Sequence, residues 1–144
     1  MSNKIKSLTF DFFQIGSLIY FLATGPVIAS GTPLVLLQVF AILILGVAAW
    51  EMRRTTYYRV PDVGKQKELV TSGIYKYVRN PMYASQLLFC GALLLDLFAV
   101  YRLIVYAIFL INFILKIQYE EQLLHTHFKE FELYKKVSWR LIPF

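Results

Sequence analysis

Two clusters of side chains in this sequence have the makeup of a reactive site. The first runs Leu69-Val70-Thr71-Ser72-Gly73-Ile74-Tyr75-Lys76-Tyr77-Val78-Arg79-Asn80-Pro81-Met82-Tyr83. It reads as a turn at Thr71-Ser72-Gly73, a short aromatic and basic segment, and a helix start. Asn80 can cap that helix, with Pro81 at its first position. The free N–H groups of such a start attract anions, and Arg79 stands beside them. The second cluster is Tyr119-Glu120-Glu121, followed after a patterned stretch by Tyr134 to Pro143. Adjacent carboxylates closing an apolar segment are costly unless paired or solvated, and Arg79 and Lys116 are their simplest partners. Tyr75, Tyr77 and Tyr83 also suit an aromatic belt at a membrane surface. His125 and His127 are two apart on a helix and share no face, so no metal site is expected. Cys90, inside an apolar run, reads as a small core residue.

The elements that must carry these clusters are apolar to a degree no ordinary soluble domain shows. Of 144 residues, 58% are hydrophobic and 17% charged, and the mean hydropathy is +0.55. Average globular usage is about 45–50% apolar and about 25% charged. Disorder is excluded by the same numbers. A disulfide framework is excluded by the single cysteine. An integral membrane protein remains.

No charge occurs between Asp11 and Glu51. That run is roughly twice one bilayer crossing in helical length, so it must fold back. Gly25-Pro26 and Ser30-Gly31-Thr32-Pro33 mark the place. Spans are expected over about 10–28 and 33–51. Apolar residues return at 81–95 and 103–115, and these predict a tight hairpin of spans over about 80–97 and 101–118. A re-entrant pair is the weaker alternative. Four spans leave the N-terminus, a connector over 52–79 and the C-terminal region on one side. Fourteen of the 15 basic residues lie there, and only Arg102 lies opposite. The positive-inside rule makes that side cytoplasmic, N-in and C-in. The net charge of +6 is thereby accounted for beside anionic headgroups, and no nucleic-acid motif is present.

Beyond the last span, Leu124, Phe128, Phe131 and Tyr134 fall on one stripe. They predict a cytosolic amphipathic helix over 119–136, continuous with or bent from the last span, followed by Trp139-Arg140-Leu141-Ile142-Pro143-Phe144. The fold class is therefore an all-α membrane bundle, one domain over 1–144.

Together the two clusters resemble the isoprenylcysteine carboxyl methyltransferase and phospholipid methyltransferase superfamily. Gly73, Tyr75, Arg79, Pro81 and Tyr83 stand in its first block. Glu120, Glu121, Leu124, Phe128, Tyr134, Val137, Arg140, Ile142 and Pro143 stand in the second. The block's usual histidine is Asn80 here. An arginine that some carboxyl-methylating members carry before the Glu pair appears as Lys116, a point charge without a planar fork.

The resemblance implies a methyltransferase using S-adenosylmethionine on a lipophilic or lipidated acceptor. Carboxyl O-methylation is the first expectation, with phospholipid-type N-methylation as the alternative. Glu120 or Glu121 would accept the cofactor's ribose hydroxyls or pair with its ammonium group. Tyr75 and Tyr83 would offer ring faces to adenine or sulfonium. Gly73, Asn80 and Pro81 would complete the cofactor site, while Arg79 and Lys116 are the candidate catalytic cations. Membrane lipids are the expected surroundings, and a homo-oligomer could complete the lipid pocket. An NADPH-dependent membrane reductase or a non-catalytic membrane protein are the competing readings. No glycine-rich dinucleotide fingerprint is present.

Overall fold

The computed structural model of the chain describes residues 3–54 and 69–142. Within them the protein is helical: α1 Asn3–Ala23, α2 Thr32–Arg54, a 3-10 turn Gly73–Lys76, α3 Pro81–Asp96, α4 Val100–His127 and α5 Phe131–Val137. The all-α expectation holds for these residues. Most of the expected connector, 55–68, and the terminal Pro143 and Phe144 lie outside the described residues.

Two boundaries differ from expectation for identifiable reasons. The first helix starts at Asn3 and stops at Ala23, where Thr24 makes the last helical N–H bond, to the Tyr20 carbonyl, which its hydroxyl also reaches. Gly25-Pro26 then prevents continuation. The single helix expected over 119–136 is two pieces. Residues 119–127 continue α4 without a break. Phe128 adopts an extended conformation (φ −118°, ψ 111°), and the chain restarts as α5. The break keeps the apolar stripe in use: Phe131 and Tyr134 are buried at 2% and 8% exposure.

α2 lies along α3, and α1 lies along α4. The core between α1, α3 and α4 holds Phe21, Leu87, Cys90, Leu93, Leu94, Phe109, Phe113 and Ile117. Cys90 is part of this core, as its setting in the sequence suggested. Both hairpin loops meet at the same end. The buried Gln38 amide stitches the first loop, accepting from Ala29 N–H and donating to the Val27 carbonyl. Ser30 donates through its N–H and its hydroxyl to Asp96, at 2.8 and 2.6 Å, and ties one loop to the other.

The outer surface is apolar. Leu36, Val39, Phe40, Ile42, Leu43, Val47 and Trp50 of α2 are all exposed. Among the described residues two helices, Thr32–Arg53 and Val100–His127, are long and apolar enough to cross a membrane, with mean hydropathies of 2.4 and 2.0. α3 has 16 residues, about 24 Å of rise, which is short of a hydrocarbon core of about 30 Å.

Candidate active site

The end of the molecule remote from the hairpin loops gathers both sequence clusters. Arg79 precedes α3, and its Nε donates to Glu121 Oε1 on α4 at 3.0 Å. Arg140, beyond α5, donates from Nη2 to the other oxygen of Glu121 at 2.8 Å. Glu121 is thus held between two guanidinium groups, with its side chain 9% exposed. Arg79 also reaches the tail: Nη1 donates to the carbonyl of Lys135 at 3.1 Å and to the Ser138 carbonyl. The backbone completes the clasp. Trp139 N–H donates to the Tyr77 carbonyl, and Arg79 N–H donates to the Trp139 carbonyl, at 2.7 and 2.8 Å. The pair Val78 and Trp139 forms an isolated parallel bridge.

One residue back along α4, turned about 100° around the helix axis, Glu120 faces α3. The Tyr83 hydroxyl lies 2.9 and 3.0 Å from its two oxygens and donates to that carboxylate. The Tyr83 ring is stacked on Phe113, with centroids 4.8 Å apart. Lys116 Nζ lies 5.1 Å from that ring's centre. It donates to Asp11 at 2.6 Å and to Gln14 at 2.8 Å, both on α1. Gln14 in turn donates to Gln86 of α3. A chain of polar groups therefore threads three helices next to Glu120. Such a chain is stable because each buried member has a partner.

The remaining expected site residues serve this assembly in different ways. Gly73 has φ +57°, a conformation that costs a side-chain-bearing residue about 1–2 kcal/mol. A methyl group there would also overlap the Glu51 carboxylate, which accepts from the Ser72 hydroxyl at 3.1 Å. Gly73→Ala is therefore expected to lower stability by at least about 1 kcal/mol, read as a drop in Tm; an unchanged Tm would show the turn to be unconstrained. Pro81 opens α3 and is fully buried. Asn80 occupies the cap position, but its side chain makes no cap bond. Its amide donates instead to the Arg140 carbonyl at 3.0 Å, a correction to the capping role read from sequence.

Tyr75 is buried in a small apolar cluster with Ala48 and Val70, and its carbonyl accepts from the Tyr134 hydroxyl at 2.6 Å. Burial pushes the Tyr134 hydroxyl up to about 12, although the Arg79 charge pulls the other way. An unfolded tyrosine ionises near 10. The folded state thus keeps a proton that the unfolded state gives up. This contribution to stability is intact below about pH 10 and is lost as pH rises toward 12. Tyr134→Phe is expected to flatten the alkaline limb of the stability profile; an identical limb in the variant would refute the assignment.

Two cavities flank the clasp. One, of about 700 Å³, is lined by Arg79 and by residues 135–142, including Trp139 and Arg140. The other, of about 470 Å³, lies between α4 and α5 and is lined by Glu121, Gln122, His125, Glu132 and Arg140, among others. Tyr83, Glu120 and Lys116 line neither. His125 is paired with Glu132 at 2.8 Å.

Sequence reasoning offered Arg79 or Lys116 as partner to the Glu120-Glu121 pair; Arg79 bonds to Glu121 and Lys116 to Asp11, and no role was foreseen for Arg140 at Glu121, for Asp11 and Gln14 at Lys116, or for Glu51 at Gly73. The charges at Asp11 and Glu51, standing alone at the ends of a 39-residue apolar run, were the available signal.

The helical bundle thus joins an apolar exterior, suited to a membrane, to one polar end rich in carboxylate and guanidinium groups. The family model for phospholipid methyltransferases matches residues 26–130, and the chain belongs to that family. The match takes in the first cluster and the Glu120-Glu121 pair and stops before α5. No curated protein and no solved structure matches the chain.

Proposed function

We propose that this methyltransferase uses S-adenosylmethionine to methylate the amine headgroup of a membrane lipid. The observation that carries the choice of acceptor is the charge arrangement around Lys116. Asp11 neutralises that lysine at 2.6 Å, and Arg79 is committed to Glu121 and the tail. The carboxyl O-methylation expected first would need one of these cations free for a carboxylate. The Glu120 side of the bundle instead carries two carboxylates, Asp11 and Glu120, around one lysine. That field favours an ammonium group.

The residues present suit the cofactor. Both cavities fall within the roughly 300–1,000 Å³ of ordinary ligand pockets. The smaller one offers the carboxylate of Glu132 beside the Glu121–Arg140 pair. The larger one offers the Trp139 face together with Lys135 and Lys136, groups suited to an adenine ring and a carboxylate. When bound, the cofactor supplies a methyl group activated by a sulfonium. Glu120 would take a proton from the acceptor ammonium, freeing the nitrogen lone pair to form the C–N bond as the methyl–sulfur bond breaks and S-adenosylhomocysteine leaves. Tyr83 holds that carboxylate in place through its hydroxyl. The clasp of Arg79, Glu121 and Arg140 positions the tail and excludes water, and positioning supplies most of the rate in such a displacement.

The four-span reading with N-in and C-in belongs to the same proposal. It is supported by the distribution of basic residues and by the two loops meeting at one end. α4 is about 42 Å long at 28 residues. Its last turns would then stand clear of the hydrocarbon, with Glu120 and Glu121 at the boundary.

The test uses the protein in lipid nanodiscs with methyl-labelled S-adenosylmethionine. Phosphatidylethanolamine is expected to acquire label that survives mild alkali, as an N-methyl group does. Base-labile label on a prenylcysteine acceptor would transfer the assignment to carboxyl methylation. The absence of saturable cofactor binding would overturn the reading as a whole.

A further inference from the structure

At the other end of the bundle, about 21 Å along α4 from Lys116 by helical rise, lies Arg102. It is fully buried, at 0% exposure. Among the described residues none of its Nε, Nη1 or Nη2 atoms has a hydrogen-bond partner. A guanidinium does not shed its proton, so a full positive charge sits here without an acceptor. The Phe21 ring, 5.2 Å away, attracts the cation but satisfies no N–H. Asp96 lies within electrostatic reach of the guanidinium but makes no hydrogen bond to it. Asp96 accepts both the N–H and the hydroxyl of Ser30.

A second observation converges on the same spot. α4 begins at Val100 behind Ala99, which is extended and provides no side-chain cap, and its first turn holds no acidic residue. The first N–H groups of a helix have no intrahelical acceptor and carry its positive end. Arg102 is the third residue of this helix, and helical side chains lean back toward the N-terminus. Gly25 of the facing loop lies so close that a methyl group there would overlap the guanidinium. Leu97, 42% exposed, packs against the same point of the loop.

From these features we infer that the start of α4 and the Arg102 guanidinium form a binding site for a phosphate-bearing anion, entered by displacement of the Leu97 side chain. A planar fork next to free helical N–H groups matches phosphate oxygens in both charge and geometry. The site lies away from the candidate active site and does not depend on the proposed methyl transfer.

The test measures Tm of the detergent-purified chain against two probes, inorganic phosphate and dihexanoyl phosphatidylglycerol, with chloride at matched ionic strength as the control. A saturable rise in Tm is expected with at least one probe. A half-saturation at least tenfold lower for the lipid would identify a headgroup as the ligand. The reverse order would identify free phosphate. Arg102→Gln is expected to abolish the rise. Lys76→Ala with Lys129→Ala, both exposed and remote, is expected to leave it intact, and this second variant decides the matter if the first does not fold. No saturable rise in the wild-type chain, or loss of the rise in the double lysine variant, would overturn the inference.

Discussion

Replacing Glu121 with alanine is expected to free the C-terminal tail and to cost about 3 kcal/mol of stability. The variant leaves Arg79, with a side chain 8% exposed, without its carboxylate. Removing one partner of a buried ion pair costs about 3–5 kcal/mol, because the other charge stays buried and uncompensated. The low end applies because Arg140, the second partner, is 44% exposed and keeps much of its hydration. Tail release has its own readout. Lys135 and Lys136 are exposed at the end of α5, so trypsin should cleave there much faster once Trp139 no longer bridges to Val78. Cofactor binding should fall in parallel, since Glu121 and Arg140 both line the cavity between α4 and α5. Arg140→Ala should follow the same course with a smaller loss of stability. An unchanged Tm together with unchanged tryptic protection in Glu121→Ala would show that the clasp contributes nothing.

The second large effect is expected at the adjacent position. Glu120→Gln keeps the shape of the side chain and can still meet the Tyr83 hydroxyl, so the fold should persist. What it loses is a base. Positioned general bases contribute about 10²–10⁴-fold to rate, and kcat for an amine acceptor should drop by that much with cofactor affinity retained. Tyr83→Phe should cost less, because the carboxylate stays and only its orientation loosens. The pair therefore separates two roles that a single loss of activity would confuse. If Glu120→Gln turns over an amine acceptor at the wild-type rate, proton removal at Glu120 is refuted.

How far the residues alone reached depends on the distance over which each signal acts. The helices were legible because lipid-facing segments leave long uninterrupted apolar runs, and because Gly25-Pro26 and Asn80-Pro81 punctuate them. The break at Phe128 was not legible. The stripe through Leu124, Phe128, Phe131 and Tyr134 fits one straight helix as well as two. Only the pull of the tail toward Arg79 separates α5 from α4. Arg79 with Glu121 could be paired from charge economy, since a carboxylate at an apolar boundary needs a cation. The neighbours of Lys116 could not be paired in that way. Asp11 and Gln14 are over a hundred positions away in the chain, and nothing local at either end announces the meeting. The tertiary bonds of Asn80 and Tyr75 to tail residues, to the Arg140 carbonyl and the Tyr134 hydroxyl, were beyond local reading for the same reason.

The bridge between Val78 and Trp139 also sets a clock on biosynthesis. About sixty residues are translated after Arg79 before Ser138 and Trp139 emerge to enclose its guanidinium. At roughly 5–20 residues per second, that is an interval of roughly 3–12 s. Throughout it the apolar helices can reach the bilayer while the carboxylate- and guanidinium-rich end stays open. A nascent chain should therefore reach the bilayer as a finished anchor well before it becomes a finished enzyme.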